Sequence, residues 1–393
     1  MTFLRLCGIV LISSIKWVDI QRKGNDMVSG SNGAITVTIT DVVKTVCLGF
    51  ELKHAVFIHG APGIGKSDII RQVGHATNRP VYDIRLALMN PVDLRGIPMV
   101  VNGETVWMPP EFFKNAENAI LFFDEFPAAP PAVQAAAYQI VLDRQIGEFR
   151  LPDSCDIVAA GNRTEDGGLN HKMAPALRNR FIHIEVEPDL DTWKDWAISN
   201  GVHEHVVGFL NFRPEMLYKF DRAQNRGNFP TPRSWARLSE CLQKVEQNPA
   251  FKGMNIQAVM AGYIGNGPAI EFGAFRKHAE TIPNAQSVIH DGKMNVKAPE
   301  DPGVMYAFAS TLVHLALKDD RVKDDQGNKV VEGYQAAKNL LQYVNKQFRT
   351  EYKTLAVCDY VRSTKGRGLI RPLAMDPDSG LHNLNELIYQ AIS

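Results

Sequence analysis

Gly60-Ala61-Pro62-Gly63-Ile64-Gly65-Lys66-Ser67 follows the short apolar run Ala55-Val56-Phe57-Ile58, and a helical pattern runs from Lys66 to Ala76. Strand, glycine-rich turn and helix in this order make a complete GxxxxGK[ST] loop in the setting its chemistry requires. Glycines let backbone N–H groups curl around an anion, and the helix N-terminus adds a favourable dipole. Lys66 is placed to reach β- and γ-phosphates, and the Ser67 hydroxyl to take a Mg²⁺ position. All eight residues of the loop are therefore candidate nucleotide-binding residues. The motif specifies a nucleoside triphosphate and leaves the base and the task open.

Outward from the loop, strand and helix alternate from Ala34 to Pro188. Val81–Ile84, Ala119–Phe123, Asp156–Ala160 and Phe181–Val186 read as strands, and Pro131–Leu142 as an Ala-rich helix with proline at its start. The wholly apolar run Ala119–Phe123 fits a central parallel strand buried on both faces. The pattern predicts a P-loop α/β fold, a parallel sheet flanked by helices. After Pro188 helical patterns take over: Asp191–Ser199, His203–Leu210, Pro232–Val245 and Ile256–Ile264. A stretch rich in Pro, Gly, Asn and Asp from Ile282 to Pro302 reads as a linker, before helices over Met305–Leu317, Val331–Phe348 and Asn383–Ile392. The expected organisation is an N-terminal extension (1–33), a nucleotide-binding core (34–188), a helical lid (189–282), and a linker with a mainly helical C-terminal region (283–393).

The chain has 393 residues, of which 45% are hydrophobic and 22% charged, so it is neither collagen-like nor disordered. Forty-three basic residues balance 43 acidic ones. That balance argues against a dedicated non-specific nucleic-acid binder and leaves a local basic groove open. Five widely spaced cysteines (Cys7, Cys47, Cys155, Cys241 and Cys358) make no disulfide framework and fit a reducing, cytoplasmic setting. His203-Glu204-His205 is expected to be a surface group, because i and i+2 side chains diverge on a helix. The apolar stretch within Phe3–Ile15 is too short to span a membrane, and no small-x-small cleavage pattern follows it. Residues 1–26, ahead of Met27, are expected to be a disposable extension or a packed helix.

Four further features carry chemistry. Asp124 and Glu125 end the buried run Ile120–Phe123, where carboxylates are costly unless they have ligands. Asp124 is placed to orient Mg²⁺ and Glu125 to act as a general base on an attacking water, which favours hydrolysis over binding alone. Asn162, directly after Asp156–Gly161, offers an amide that can bridge the γ-phosphate region and that water. Arg178 and Arg180 precede a strand; one delivered to a neighbouring subunit's γ-phosphate would stabilise transition-state charge, and the alternative for each is a surface salt bridge. Arg233, in Pro232-Arg233-Ser234-Trp235, opens a helix from which it can touch bound phosphates or pair with a nearby acid.

The order of these segments resembles the AAA+ ATPases, and within them the MoxR-like and dynein-related branch. Carrying the resemblance are GAPGIGKS, NPVDLRGIP (Asn90–Pro98), WMPPEF, ILFFDEFPAAPPAVQAAAYQIVLDRQI, VAAGNR, PALRNRF and TPRSW, between about residues 40 and 245. It implies that Lys66 and Ser67 belong to Walker A and Asp124 and Glu125 to Walker B. Asn162 falls at sensor 1, Arg180 at the arginine finger with Arg178 competing for that role, and Arg233 at sensor 2. It further implies ATP with Mg²⁺, a homo-oligomeric ring, commonly hexameric, and chaperone-like remodelling of a protein client, such as one with a von Willebrand factor A-type domain. No membrane association is expected. The competing readings are a nucleic-acid translocase or loader with the same core, and a nucleotide-gated assembly module with little turnover. The segment Asp143–Leu151 alternates like a hairpin strand, Leu86–Val101 is expected to hold a loop facing the ring centre, and Trp107, Phe112 and Phe113 are expected to pack. Lys365-Gly366-Arg367-Gly368, with Arg371 nearby, reads as a solvated loop.

Overall fold

The computed structural model describes residues 36–37, 39–146, 149–163, 166, 171, 173–220, 227–279, 283–322, 330–379 and 384. The extension expected over residues 1–33 lies outside them, as does the helix expected over Asn383–Ile392 apart from Leu384. Chain packing divides the protein into two compact units that meet between Asp189 and Leu190.

In the first unit the elements run β1 (Thr36–Val37), α1 (Ile39–Leu52), β2 (Ala55–Gly60), α2 (Lys66–Thr77), β3 (Val81–Arg85), α3 (Pro91–Arg95), β4 (Ile97–Val101), β5 (Glu104–Met108) and α4 (Glu111–Lys114). There follow β6 (Ile120–Asp124), α5 (Pro131–Asp143), β7 (Gln145–Ile146), β8 (Phe149–Arg150), β9 (Asp156–Gly161), α6 (Pro175–Arg178) and β10 (Phe181–Val186). Six strands form one sheet in the order β1-β10-β2-β9-β6-β3, parallel throughout. Every residue of β9 is buried, and so are the first four of β2 and of β6, as apolar runs covered on both faces require. Phe57, Leu121, Phe123, Phe126, Ile157 and Phe181 build much of the core on one side. The loop Gly60–Ser67 thus leaves a strand held between β10 and β9, with the end of β6 one strand further on.

Two antiparallel hairpins are added to this sheet. β4 and β5 pair from Ile97↔Met108 to Val101↔Glu104. Their turn is Asn102-Gly103, with φ of 53° and 84°, the left-handed pair that a two-residue hairpin turn demands. Leu86–Val101, expected to hold a loop, instead comprises a 3₁₀ turn (Leu86–Leu88), helix α3 and the first strand of this hairpin. The Asn-Gly pair is the local signal for it. β7 and β8 form the second hairpin within the alternating segment Asp143–Leu151. Phe113 is buried and Phe112 packs against the core, whereas Trp107, on β5, is 39% exposed.

The second unit is helical: α7 (Leu190–Ser199), α8 (Glu204–Phe212), α9 (Pro232–Gln247), α10 (Ile256–Ile264), α11 (Asn266–Ala279), α12 (Ala285–Ile289), α13 (Pro302–Lys318), α14 (Tyr334–Gln347), α15 (Thr350–Arg362) and α16 (Thr364–Ala374). The expected division near residue 282 does not separate compact bodies. The reason is α13, whose Ala307 joins the cluster of Phe209, Trp235 and Phe272, while its Phe308 and Leu312 join that of Leu340, Tyr343 and Val357. At Gly208 of α8 a Cβ would lie 3.2 Å from the Ala307 Cα, so the two helices approach at a position kept without a side chain. Within the expected linker, α12 buries Val288 and Ile289. No helix among the described residues is long and apolar enough to cross a membrane.

Two further expectations need correction. Lys365–Gly368 is not a solvated loop but the first turn of α16. Ser363 caps that turn by accepting from the Gly366 N–H (2.9 Å), Lys365 pairs with Glu332 (3.1 Å), and Arg367 donates to the Arg362 carbonyl (2.7 Å). The cations there serve the fold. His203 is buried, not superficial: its Nδ1 accepts from the His205 N–H (3.1 Å), capping α8, so Nε2 carries the proton and donates to Glu246 (3.0 Å). The i,i+2 argument fails because His203 precedes the helix and is its N-cap.

Candidate nucleotide-binding site

The shape of the loop follows from its glycines. A Cβ at Gly60 would lie 2.5 Å from Ile64 Cδ1 and 2.9 Å from the Val186 carbonyl oxygen. Gly65 has open space around it but φ of +97°, a left-handed conformation that costs any other residue energy. Gly65 is also the N-cap of α2, so the first amides of that helix, which have no acceptor within it, open into the loop.

Four motif side chains from three segments meet here. Lys66, 7% exposed, directs Nζ to the carbonyl oxygens of Gly60 (2.7 Å) and Ala61 (2.9 Å) and to Asn162 Oδ1 (2.8 Å). The Ser67 hydroxyl donates to Asp124 Oδ2 (2.7 Å), and the other Asp124 oxygen accepts from the Glu125 N–H (2.9 Å). Asn162 reaches the lysine because Gly161 lets β9 end hard against Pro127, where a Cβ would stand 2.3 Å from the proline Cδ. Glu125 has φ of 55° and is exposed, and among the described residues no partner bonds its carboxylate. The site therefore brings three neutral oxygens to one cation, bonds one carboxylate to a hydroxyl, and leaves one carboxylate with no partner among the described residues.

The oxygen pair of Ser67 and Asp124 fits a hard divalent cation. Mg²⁺ takes one or two protein oxygens and completes its shell with water and phosphate, and these two donors already lie 2.7 Å apart.

Arg178 ends α6 and Arg180 follows it; both are exposed, and no described carboxylate pairs with either guanidinium. Arg233 lies in the second unit, exposed in the first turn of α9, which Thr231 and Ser234 cap reciprocally. Sequence reading missed Arg163. Its guanidinium meets Asp166 (3.2 Å) and Glu185 (3.2 Å), fixing the chain directly after Asn162. Burial opposes its charge, yet the two carboxylates outweigh burial and hold its pKa above the ordinary arginine value. Only its place next to Asn162 could have drawn attention to it.

Residues 55–181 match the family model of the AAA domain, dynein-related subfamily. Midasin of Dictyostelium discoideum is 23% identical over 163 residues, 38% of this chain and 3% of midasin's own length. The chain thus corresponds to a small part of that curated relative. A mutant of RuvB from Thermotoga maritima aligns at 18% identity over 75% of this chain and 93% of its own, with a TM-score of 0.37. NtrX from Brucella abortus aligns at 15% identity over 65% of this chain and 62% of its own, with a TM-score of 0.36.

Proposed function

We infer that this chain, whose residues 55–181 form an AAA ATPase domain of the dynein-related kind, is a MoxR-like ring ATPase that spends ATP hydrolysis on remodelling a protein partner. The observation that carries the reading is the Lys66–Asn162 bond. It brings together residues 96 apart in sequence, beside the Ser67–Asp124 bond, on the only chemistry the loop is built for.

Each residue has a physical task. The loop amides and Lys66 receive the β- and γ-phosphates, with Lys66 exchanging its bond to Asn162 for a phosphate oxygen. Ser67 and Asp124 hold Mg²⁺, which neutralises charge on the phosphate oxygens. Glu125, exposed and with no partner for its carboxylate among the described residues, polarises the attacking water. Asn162, released from Lys66, orients that water against the γ-phosphate. Arg180, with Arg178 beside it, reaches the nucleotide of an adjacent subunit in a homo-oligomeric, hexameric ring, where an arginine contributes about 10³–10⁵ in rate. Arg233 contacts the phosphates from the helical unit and reports their presence. ATP as the nucleotide, and a client with a von Willebrand factor A-type domain, follow from likeness to MoxR-like relatives.

The test is a mixing experiment. Arg180→Ala and Lys66→Ala proteins, each much slower than wild type alone, should recover part of the wild-type turnover when mixed, because one supplies the arginine and the other the intact loop. No recovery at any ratio would sink the shared site. Turnover stimulated by DNA in a salt-sensitive manner would favour the translocase reading instead.

A further inference from the structure

Two histidines outside every motif join the strand that feeds the phosphate loop to the segment that carries the two arginines. His59, directly before Gly60 on β2, stacks on Phe57 (4.3 Å between ring centres) and on His183 of the adjacent β10 (5.0 Å). His59 Nε2 lies 2.8 Å from His183 Nδ1, and His183 Nε2 lies 2.8 Å from the carbonyl oxygen of Arg178. That carbonyl accepts and never donates, so His183 carries its proton on Nε2. Neutral His183 then accepts at Nδ1, and His59 must donate from Nε2. One backbone oxygen thereby sets the tautomer of both rings.

The surroundings keep both rings neutral. Burial, then His183, Arg178 and Lys66, lowers the pKa of His59 to about 4. Burial also lowers that of His183, against the opposing effect of its bond to the Arg178 carbonyl. The charged groups that act on the pair are Lys66, from α2, and Arg178, from α6, both cations. A proton added to His183 at Nδ1 would set two N–H groups against each other across 2.8 Å.

We propose that His183, oriented by His59, is a positioning residue for catalysis in trans: it holds the 178–180 segment at a fixed distance from its own phosphate loop. The route is short. Lys66 bonds the Gly60 carbonyl, Gly60 follows His59, His59 bonds His183, and His183 bonds the Arg178 carbonyl. α6 is only four residues long and ends at Arg178, three residues before β10 begins, and this bond ties its last carbonyl to a side chain of that strand, beside the buried Leu177. The proposal rests on the reading that Arg178 or Arg180 serves a neighbouring subunit's nucleotide.

The test is a cycle in the assembled full-length protein, reading ATP turnover. His183→Phe keeps the ring and removes both bonds; it should lower kcat about 5–10-fold with KM for ATP unchanged, the loss expected of one hydrogen bond that positions a catalytic group. His183→Gln, whose amide can still donate to the Arg178 carbonyl, should restore kcat to within about 2–3-fold of wild type. In an Arg178→Ala, Arg180→Ala background, His183→Phe should have no further effect. Equal losses for the Phe and Gln variants, or a full loss in the arginine-free background, would overturn the positioning role and leave the arginine reading standing. Wild-type kcat in the arginine-free protein itself would overturn the arginine reading, and this proposal with it.

Discussion

The two ends of the parallel sheet use the same kinds of side chain to opposite effect. At the amino end, Asp156 is 4% exposed and pairs with Arg79 (2.7 Å) and Lys53 (3.2 Å). Arg79 gives three further hydrogen bonds to the carbonyls of Asn118 (3.2 Å), Ala119 (2.7 Å) and Ser154 (2.8 Å), and lies over the Phe50 ring. The buried Asp156 thus has both oxygens paired to cations within the protein. At the carboxyl end, Lys66 is bonded to the oxygens of Gly60, Ala61 and Asn162, Ser67 and Asp124 are bonded to each other, and the Glu125 carboxylate to no described group. Saturated charge makes an anchor, and charge whose partners a ligand can replace makes a site.

The largest effects should separate the two ends by kind. Glu125→Gln should slow ATP turnover at least about 10²-fold, as loss of a general base does, and leave the melting temperature and nucleotide binding essentially intact. A fall under threefold in steady-state kinetics would remove Glu125 from the base role. Asp156→Ala should do the reverse. Loss of a buried partner should cost about 3 kcal/mol in urea unfolding, with nucleotide affinity of the folded protein unchanged. A loss of affinity with no loss of stability would erase the contrast between the ends.

The glycines sharpen the comparison at intermediate cost. Gly60→Ala should destabilise by about 1–3 kcal/mol, because the new Cβ meets the Val186 carbonyl and Ile64. Gly65→Ala meets nothing and should cost about 1–2 kcal/mol through its φ alone. It should also weaken nucleotide binding, since the strain falls on the loop itself; isothermal titration beside urea melts would distinguish the two glycines.

The smallest effect concerns pH. His59 and, in the helical unit, His205 both have pKa values lowered to about 4, in each case by burial first and then by neighbouring His183 and His203 respectively. Such a group leaves stability intact above its unfolded pKa near 6.5. Stability is then lost as pH falls towards 4, because the unfolded chain takes up the proton first. Each should contribute about 1 kcal/mol of destabilisation by pH 5.5 relative to neutral pH. Removing His59 in His59→Gln should flatten the acid side of the stability profile; an unchanged slope would show that His59 stays neutral in neither state's favour.

Much of the first unit is legible without coordinates. The apolar runs ending in Gly60 and Asp124 mark buried parallel strands, and β2 and β6 stand where those runs predict. The sequence reading assigns no element to α11 or α15 and a solvated loop to the start of α16, whereas Phe272 and Phe275 of α11, Val357 and Tyr360 of α15, and Leu369 and Leu373 of α16 are buried in the helical cores. The hairpin of β4 and β5 was missed although Asn102-Gly103 announces it, since its strands are exposed apart from the half-buried Val106 and lack the alternation that marks a half-buried strand.

Sequence alone determined what depends on neighbouring residues. Eight consecutive residues dictate the phosphate loop because glycine conformations, a lysine and a hydroxyl at fixed spacing act over one turn of chain. Tertiary structure alone decided which distant groups meet: Asn162 on Lys66 across 96 positions, His183 on His59 across 124, and α13 serving two cores at once. Those pairings depend on strand order. With β9 and β10 on either side of β2, the amide and the histidine are brought to the loop; no property of the residues taken singly announces that order.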